Sequence, residues 1–303
     1  MEVSSLPHHP PVDIVIVNHM SADLVSMRLR EIPPTLNVII VDNSPEDEQV
    51  ERIRSSAQRP LTIVRSSNRG FAAAVNLAAP LCGADFTLLL NPDASIAALE
   101  LETLLSTSRL HSLDIASPVI CNAYTGRVWF AGGRVTRFTY RPIHDSMDKN
   151  FARLALATPI VPTQFVSGCV LLISRRARDL LLPLREDLFM YWEDVDLSLR
   201  AGDYGLRRSV VTVAFATHAK APGRSTLFYR YNARNRLIVA RSRGRVQLLT
   251  ALLTMPLVTT RQLIWLWRRE SRRREMAAAL IEGSIAGVRE TVFRRSPNRA
   301  PKR

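Results

Sequence analysis

DIVIVNHMSADLVSMRLREIPPTLNVIIVDNS, residues 13–44, decides the fold. Two short β-branched runs, Asp13–Asn18 and Asn37–Asp42, flank a stretch with helical character, Ala22–Glu31. Branched side chains pack well on a pleated surface and lose rotamer freedom in a helix, so the runs read as strands. The alternation continues with apolar runs at Leu61–Arg65 and Phe86–Leu90 and helical stretches at Glu46–Gln58, Gly70–Leu81 and Ile96–His111. In the last of these, Leu101, Leu104, Leu105 and Ser108 fall on one face at i, i+3, i+4 and i+7 spacing. Near-continuous apolar strands alternating with helices predict a mostly parallel sheet covered on both faces, a doubly wound α/β domain.

Each apolar strand ends in a polar cluster: Asn18-His19, Asp42-Asn43-Ser44, Ser66-Ser67-Asn68 and Asn91-Pro92-Asp93. Helix capping explains any one of them. Four along the carboxyl edge of one sheet, where ligands of open α/β sheets bind, point to a site. Asn91-Pro92-Asp93 suits a divalent metal bridging two phosphates, because Mg²⁺ takes one or two carboxylates plus phosphate oxygens; an N-cap for the next helix is the competing explanation. Asp42 and Asn43 fall within reach of a nucleoside over the sheet. Asn68-Arg69-Gly70-Phe71 opens a helix whose free N–H groups receive an anion, with Gly70 permitting close approach. The chain carries neither GxGxxG after its first strand nor GxxxxGK[ST] anywhere.

Past residue 113 the pattern loosens. Val119–Ala131 predicts short strands, and residues 134–162 predict a long mobile loop of the kind that forms lids or binding elements. Gln164–Ser174 reads as a buried strand with Gly168 inside it, where backbone or ligand approaches closely. Ser209–Thr217 is a further strand ending at His218, an imidazole that is structural by default and a metal ligand if it stands beside a phosphate-bound cation. Between them, FMYWEDVDLSLR (189–200) sets Glu193, Asp194 and Asp196 behind a bulky run. A helix starting near Glu193 accounts for Asp196 through an i, i+4 pair with Arg200, and the dipole favours acids in a first turn. Tyr191 and Trp192 suit the wall of a sugar pocket, where Asp194 would serve as general base to an incoming hydroxyl. On spacing alone helix decoration and catalysis stand level.

Composition bounds the rest. At 47% hydrophobic and 22% charged, the chain is globular, not disordered. Cys82, Cys121 and Cys169 are odd in number and widely spaced, the pattern of a reduced cytosolic chain without structural zinc, and the first residues do not read as a secretory signal. The formal net charge of +14 belongs to residues 201–303, where twenty-two Lys and Arg face five acids. Residues 246–267 are long and apolar enough for a helix that spans a bilayer, yet they contain Pro256 and Arg261 and are flanked by Arg241, Arg243, Arg245 and Arg268. That pattern predicts a helix lying in an anionic membrane interface, with packing against protein and a true span as the alternatives.

Taken in order, VIVNH (15–19), VDNS (41–44), NRGFAAAVN (68–76), LLLNPD (88–93), SGCVLLIS (167–174), FMYWEDVDLSLR (189–200), TH-x₅-RS (217–225) and YRYNARNRL (229–237) resemble the inverting, metal-dependent, nucleotide-sugar glycosyltransferases of the GT-A fold, family 2, and within them the rhamnosyltransferase-like branch of cell-surface polysaccharide synthesis. The resemblance covers residues 13–237, leaving 1–12 as a flexible leader and 238–303 as a basic helical, membrane-associating extension. It implies that Asn18, Asp42, Asn43, Asn68, Gly70 and Asn91 line the donor nucleotide site. Asp93 matches the family's acidic metal ligand, with Asn91 in place of its first acid, and His218 matches a position that completes the shell of Mg²⁺ or Mn²⁺. Asp194 matches the base that deprotonates the acceptor and Glu193 a residue that orients it, beside an acceptor pocket of Tyr191, Trp192 and Gly168. The implied partners are a nucleoside diphosphate sugar (dTDP-rhamnose favoured, UDP- and GDP-sugars open) and a cell-envelope glycan or polyprenyl-diphosphate-linked acceptor. The implied location is the cytoplasmic face of the cell membrane, and no nucleic acid is expected. An inactive GT-A-like scaffold, a basic nucleic-acid- or membrane-binding protein, and a nucleotidyltransferase on the same sheet are the competing functions; the last lacks a glycine-rich phosphate loop.

Overall fold

The structure is a computed structural model that describes residues 12–145, 158–219, 224–269 and 272–293. The chain forms two compact units, one of residues 1–134 and 143–221, the other of 135–142 and 222–303.

In the first unit β1 (Val12–Asn18) lies in the middle of the sheet, parallel to β2 (Asn37–Asp42) on one side and β4 (Phe86–Leu90) on the other. Beyond β2 runs β3 (Thr62–Arg65), also parallel. Helices α1 (Ala22–Glu31), α2 (Glu48–Ser56) and α3 (Phe71–Ala78) make the crossovers, as the alternation of apolar strands and helical stretches predicts. Every residue of β4 is buried, so helices must cover both of its faces. One face carries Val15, Ile39, Val41, Leu89 and Leu171, packed on Ala72 and Val75 of α3, Ala177 and Leu181 of α5 (Arg175–Leu181), and Leu197 and Ala201 of α6 (Glu193–Asp203). The stripe Leu101, Leu104, Leu105 and Ser108 of α4 (Ala98–Leu110) is buried throughout. Truncating one such core leucine to alanine costs about 2–5 kcal/mol.

Beyond β4 the sheet becomes mixed. After the two-residue β5 (Ala94–Ser95) come β6 (Ile115–Asn122), its antiparallel partner β7 (Val128–Phe130), and a hairpin of β8 (Gly133–Val135) and β9 (Pro142–His144). Then follow β10 (Ile160–Pro162), β11 (Val170–Ser174) and the long β12 (Arg208–His218). The order is β10-β12-β6-β11-β4-β1-β2-β3, and β11 runs antiparallel to both β4 and β6. The expectation of a mostly parallel, doubly wound sheet therefore holds for the first ninety residues and is corrected to a mixed sheet for the whole. The chain enters β11 from the carboxyl end of β4, where Asn91 N–H donates to Cys169 O, and can only run back along it. Two smaller expectations change with it. Residues 134–145 and 158–162 include β8, β9 and β10 where a loop was expected, and 146–157 lie outside the described residues. Gly168 stands in the turn before β11, not inside the strand.

In the second unit α7 (Thr226–Arg243) packs along α10 (Arg273–Val288) so closely that a Cβ on Gly283 would collide with the carbonyl of Arg230. Residues 246–267, expected as one helix, break at Thr254 into α8 (Arg245–Leu253) and α9 (Met255–Arg269). The two are bent by 46°. Pro256 fits the first turn of a new helix and not the interior of an old one. Among the described residues no single helix is long and apolar enough to cross a membrane. Tyr229, Leu266, Met276, Ala279 and Leu280 form this unit's core. After α10, Arg289–Phe293 is a π-helical turn, and 294–303 lie outside the described residues.

Candidate functional site

The carboxyl ends of β1 and β2 are locked together by polar side chains. Asn18 Nδ2 donates to Asp42 Oδ1 at 2.6 Å, and Ser44 Oγ donates to the same oxygen at 2.7 Å. The other carboxylate oxygen is paired with Arg65 at the end of β3. Asp42 is fully buried and so is Asn18. These groups form a preorganised wall at the crevice instead of projecting into it. Asn43 lies beside them, its N–H donating to Asn18 O at 2.8 Å, and His19 Nδ1 lies 3.1 Å from Asn43 O. The Asn43 Oδ1 atom is buried without a partner among the described residues. Arg65 is a member of this cluster that the strand pattern did not single out, although a basic residue closing LTIVR at the same edge was a usable signal.

Asn68-Arg69-Gly70-Phe71 opens α3, as expected. Gly70 has φ +95°, and a Cβ there would collide with the carbonyl of Phe189. That carbonyl accepts from Phe71 N–H at 2.8 Å. Asn68 Oδ1 accepts from Gly70 N–H at 3.2 Å. Arg69 pairs with Glu186 at 2.6 Å, and Asn76 of α3 bonds Leu184 through both N–H and C=O contacts. The NRGF turn is thus clasped to the segment that precedes α6. In that segment Phe189, Tyr191 and Trp192 have φ of +63°, +63° and +76°. Left-handed backbone at bulky residues persists only where surrounding contacts impose it, and it clusters at functional sites. Trp192 is 2% exposed and belongs to the interior, whereas Tyr191 is half-buried.

The strained run delivers three acids to the first turn of α6, and they divide into two kinds. Asp196 is buried and ion-paired with Arg200 at 2.9 Å and Arg185 at 3.4 Å, so it serves the fold. Glu193 and Asp194 have no basic partner among the described residues. Asp194 Oδ2 accepts from Gly168 N–H at 2.9 Å and Oδ1 from Val195 N–H at 2.7 Å. Burial raises the Asp194 carboxyl above its ordinary range, while those N–H groups pull it partly back. Burial, and then the charge of Asp194, push Glu193 up to about 8. Two adjacent carboxyls held this way titrate as a coupled pair, each resisting the charge of the other.

At the carboxyl end of β4, Asn91 O accepts from Ala94 N–H at 3.0 Å, closing the Asn-Pro-Asp turn. Strand β12 ends against this turn, with His218 opposite Ala94 and Ala219 N–H donating to Asp93 O at 2.8 Å. Nε2 of His218 lies 3.0 Å from Oδ2 of Asp93. Residues 125 positions apart are thereby brought together. The His218 ring packs on Trp129 of β7 with centroids 4.6 Å apart, and Trp129 in turn meets the edge of His144 at 5.2 Å. Trp129 went unnoticed in the sequence because nothing local connects β7 to β12. Nδ1 of His218 is buried without a partner among the described residues, while the side chain of Asp93 keeps 40% of its surface exposed. An oxygen and an imidazole at this spacing fit a divalent cation whose remaining ligands come from elsewhere. No group of three or more His, Cys, Asp or Glu able to hold a metal occurs among the described residues.

The two carboxylate sites share one stretch of backbone. Gly168 holds Asp194, and the adjacent Cys169 holds Asn91, two residues before Asp93. Both therefore stand at the carboxyl end of β4.

Comparison with known proteins gives these features a context. The model of a family described as Glycosyl transferase family 2 matches residues 14–178. No curated protein sequence is similar enough to count as a relative. Among solved structures, the chain is similar to GalNAc-T7 with UDP, GalNAc and Mn2+ (TM-score 0.59, 14% identity, covering 76% of this chain and 47% of that one). It is also similar to the mannosyltransferase PcManGT from Pyrobaculum calidifontis in complex with GDP-Man and Mn2+ (0.58, 15%, 93% and 88%). A third is S. aureus TarS 1-349 in complex with UDP-GlcNAc (0.52, 15%, 92% and 81%). The chain thus spans about half the length of the first and most of the other two. At these identities the likeness shows the shared GT-A-type α/β fold.

Proposed function

The chain belongs to glycosyl transferase family 2, and from that membership we propose that it moves a sugar, rhamnose by preference, from a nucleoside diphosphate donor to a hydroxyl of a cell-envelope glycan or polyprenyl-diphosphate-linked acceptor. The observation that carries the proposal is the pair of carboxylate sites at one end of β4: Asp93 against His218, and Asp194 on Gly168, free of any cationic partner among the described residues.

Inverting transfer is one displacement. The acceptor oxygen attacks the anomeric carbon, its proton passes to a base, and the bond to the nucleoside diphosphate breaks on the opposite face. Asp194 takes that proton. Its raised proton affinity suits it to the role, and the Gly168 and Val195 N–H groups hold the carboxylate still. Glu193, protonated at neutral pH, donates a hydrogen bond to the acceptor and leaves the proton transfer to its neighbour. Asn18, Asp42 and Arg65 wall the nucleoside end, with Asn43, Asn68, Gly70 and Asn91 lining the path toward the phosphates. Asp93 and His218 would hold Mg²⁺ or Mn²⁺, which when bound neutralises charge gathering on the departing diphosphate. Tyr191 and Gly168 flank the acceptor.

The proposal includes work at the inner face of the cell membrane, and the composition of the second unit supports that reading. Val246, Leu249, Leu253 and Leu257 are between 57% and 72% exposed on α8 and α9, close in sequence to Arg241, Arg243, Arg245 and Arg268, a composition that suits a headgroup interface.

A thermal-shift screen of dTDP-, UDP- and GDP-sugars with Mg²⁺ or Mn²⁺ tests the donor side. Stabilisation by one nucleotide class, dependent on the cation and lost in Asp93→Ala, is expected. Equal stabilisation of wild type and Asp93→Ala would remove Asp93 from the donor site.

A further inference from the structure

Four arginines gather in the second unit: Arg141 in its 135–142 segment, Arg224 just before α7, Arg236 within α7, and Arg261 in α9. Arg236 is 4% exposed and donates to Thr139 O at 2.8 Å and Ala251 O at 3.4 Å, tying the backbone beside Arg141 to α8. Arg224 lies over the Phe228 ring at 4.5 Å and the Trp265 ring at 5.9 Å. Trp265 stands one helical turn beyond Arg261. The charges of Arg261 and Arg224 act on Arg141, and that of Arg141 acts on Arg236. Burial and this mutual repulsion weaken the hold of Arg141 on its proton and bring Arg236 down to about 10.

No carboxylate pairs with any of the four among the described residues, whereas Arg234, on the same helix, is bidentate to Glu290. Like charges collected in a partly dry setting repel strongly, and an unpaired buried charge is costly, so the arrangement asks for an anion. Guanidinium groups match phosphate oxygens in geometry and hold them through paired N–H donors. Beside the cluster the surface turns apolar. Leu257, 68% exposed, and Trp265, 39% exposed, flank Arg261 at one-turn spacing on α9.

We propose that Arg141, Arg224 and Arg261, steadied by Arg236, form a binding site for a phosphate or diphosphate group, with Leu257 and Trp265 accommodating a hydrocarbon chain attached to it. The proposal draws on the transferase reading only in taking the lipid that carries the acceptor as the source of that group; the anion site stands on its own contacts.

The test uses the full chain and the double variant Arg224→Gln/Arg261→Gln, both positions being solvent-facing. Calorimetric titration with inorganic pyrophosphate at fixed ionic strength, without donor, is expected to show at least tenfold weaker binding by the variant. Cosedimentation with phosphatidylcholine vesicles carrying phosphatidic acid reports the source. Retention of wild type alone, reversed by pyrophosphate, supports a lipid phosphate. A variant defective toward pyrophosphate but equal on vesicles supports a soluble phosphate. Equal pyrophosphate affinity of the two proteins overturns the site. Donor-dependent thermal stabilisation measured on the same samples establishes that the variant is folded. Its absence from both proteins would count against the transferase function while leaving the pyrophosphate comparison intact.

Discussion

Asp194 Oδ2 accepts a hydrogen bond from the backbone N–H of Gly168 at 2.9 Å, fastening the first turn of α6 to the turn that enters β11. Because Cys169 O accepts from Asn91 N–H at 3.0 Å, the same backbone steadies the Asn-Pro-Asp turn. The proposed base, Asp194, and the proposed metal ligand, Asp93, are therefore referenced to two adjacent peptide units. An inverting displacement needs that registration, because a misplacement of an ångström between reacting groups costs about a hundredfold in rate.

Asp194→Asn preserves shape and can still accept from Gly168 N–H, yet it has no basic oxygen. Transfer to acceptor should fall by roughly 10²–10⁴-fold, while donor binding by titration stays within about twofold. Wild-type turnover by this variant would retire Asp194 as the base.

Glu193 makes stability depend on pH. Its folded-state pKa of about 8 lies above the ordinary 4.5, so the folded protein keeps a proton that the unfolded chain has lost between those values. The stabilisation is present in full below the lower value and fades as pH rises through the upper one. Thermal melts of wild type should thus lose ground to those of Glu193→Gln between pH 5 and pH 8. Parallel curves would show that Glu193 titrates normally.

Gly70→Ala places a methyl group against the Phe189 carbonyl and demands a left-handed alanine. A loss of about 1–3 kcal/mol is expected in denaturant titration, together with reduced donor binding as the NRGF turn parts from the α6 entrance. Gly83→Ala, which meets nothing within 4 Å, is the control and should leave both unchanged.

Asp42→Ala removes the acceptor shared by Asn18, Ser44 and Arg65. Stranding those donors should cost about 1–3 kcal/mol of stability, so the variant should lower the denaturation midpoint even without nucleotide. Asp42→Asn, which keeps one oxygen acceptor, should fall between it and wild type.

Much of this was legible in the chain itself. The runs DIVIVN, NVIIVD and FTLLL and the α4 stripe reported burial through their period, and the positions of β1, β2, β4 and α4 agree with them to within two residues. Asp196 paired with Arg200 as i, i+4 spacing requires. The polar clusters fell at the carboxyl ends of the parallel strands, as read, because backbone direction alone carries them there.

What local pattern could not supply was partnership. Periodicity states that a strand is buried but not which way its neighbour runs, so the reversal at β11 emerged only from the pairing of Val170–Ser174 with β4. Asp42 looked poised for a ligand until Arg65, from a strand beyond it, took its second oxygen. Trp192 carried the look of a pocket wall, yet it is 2% exposed and lies among the buried side chains. The amino-acid order alone determined the elements, the edge where chemistry collects and the acids available to it, since these depend on neighbours a few residues apart. Tertiary structure decided that Arg65 takes the second oxygen of Asp42, 23 positions away, and that His218 reaches Asp93, 125 positions away, because no local spacing encodes contacts between separate strands.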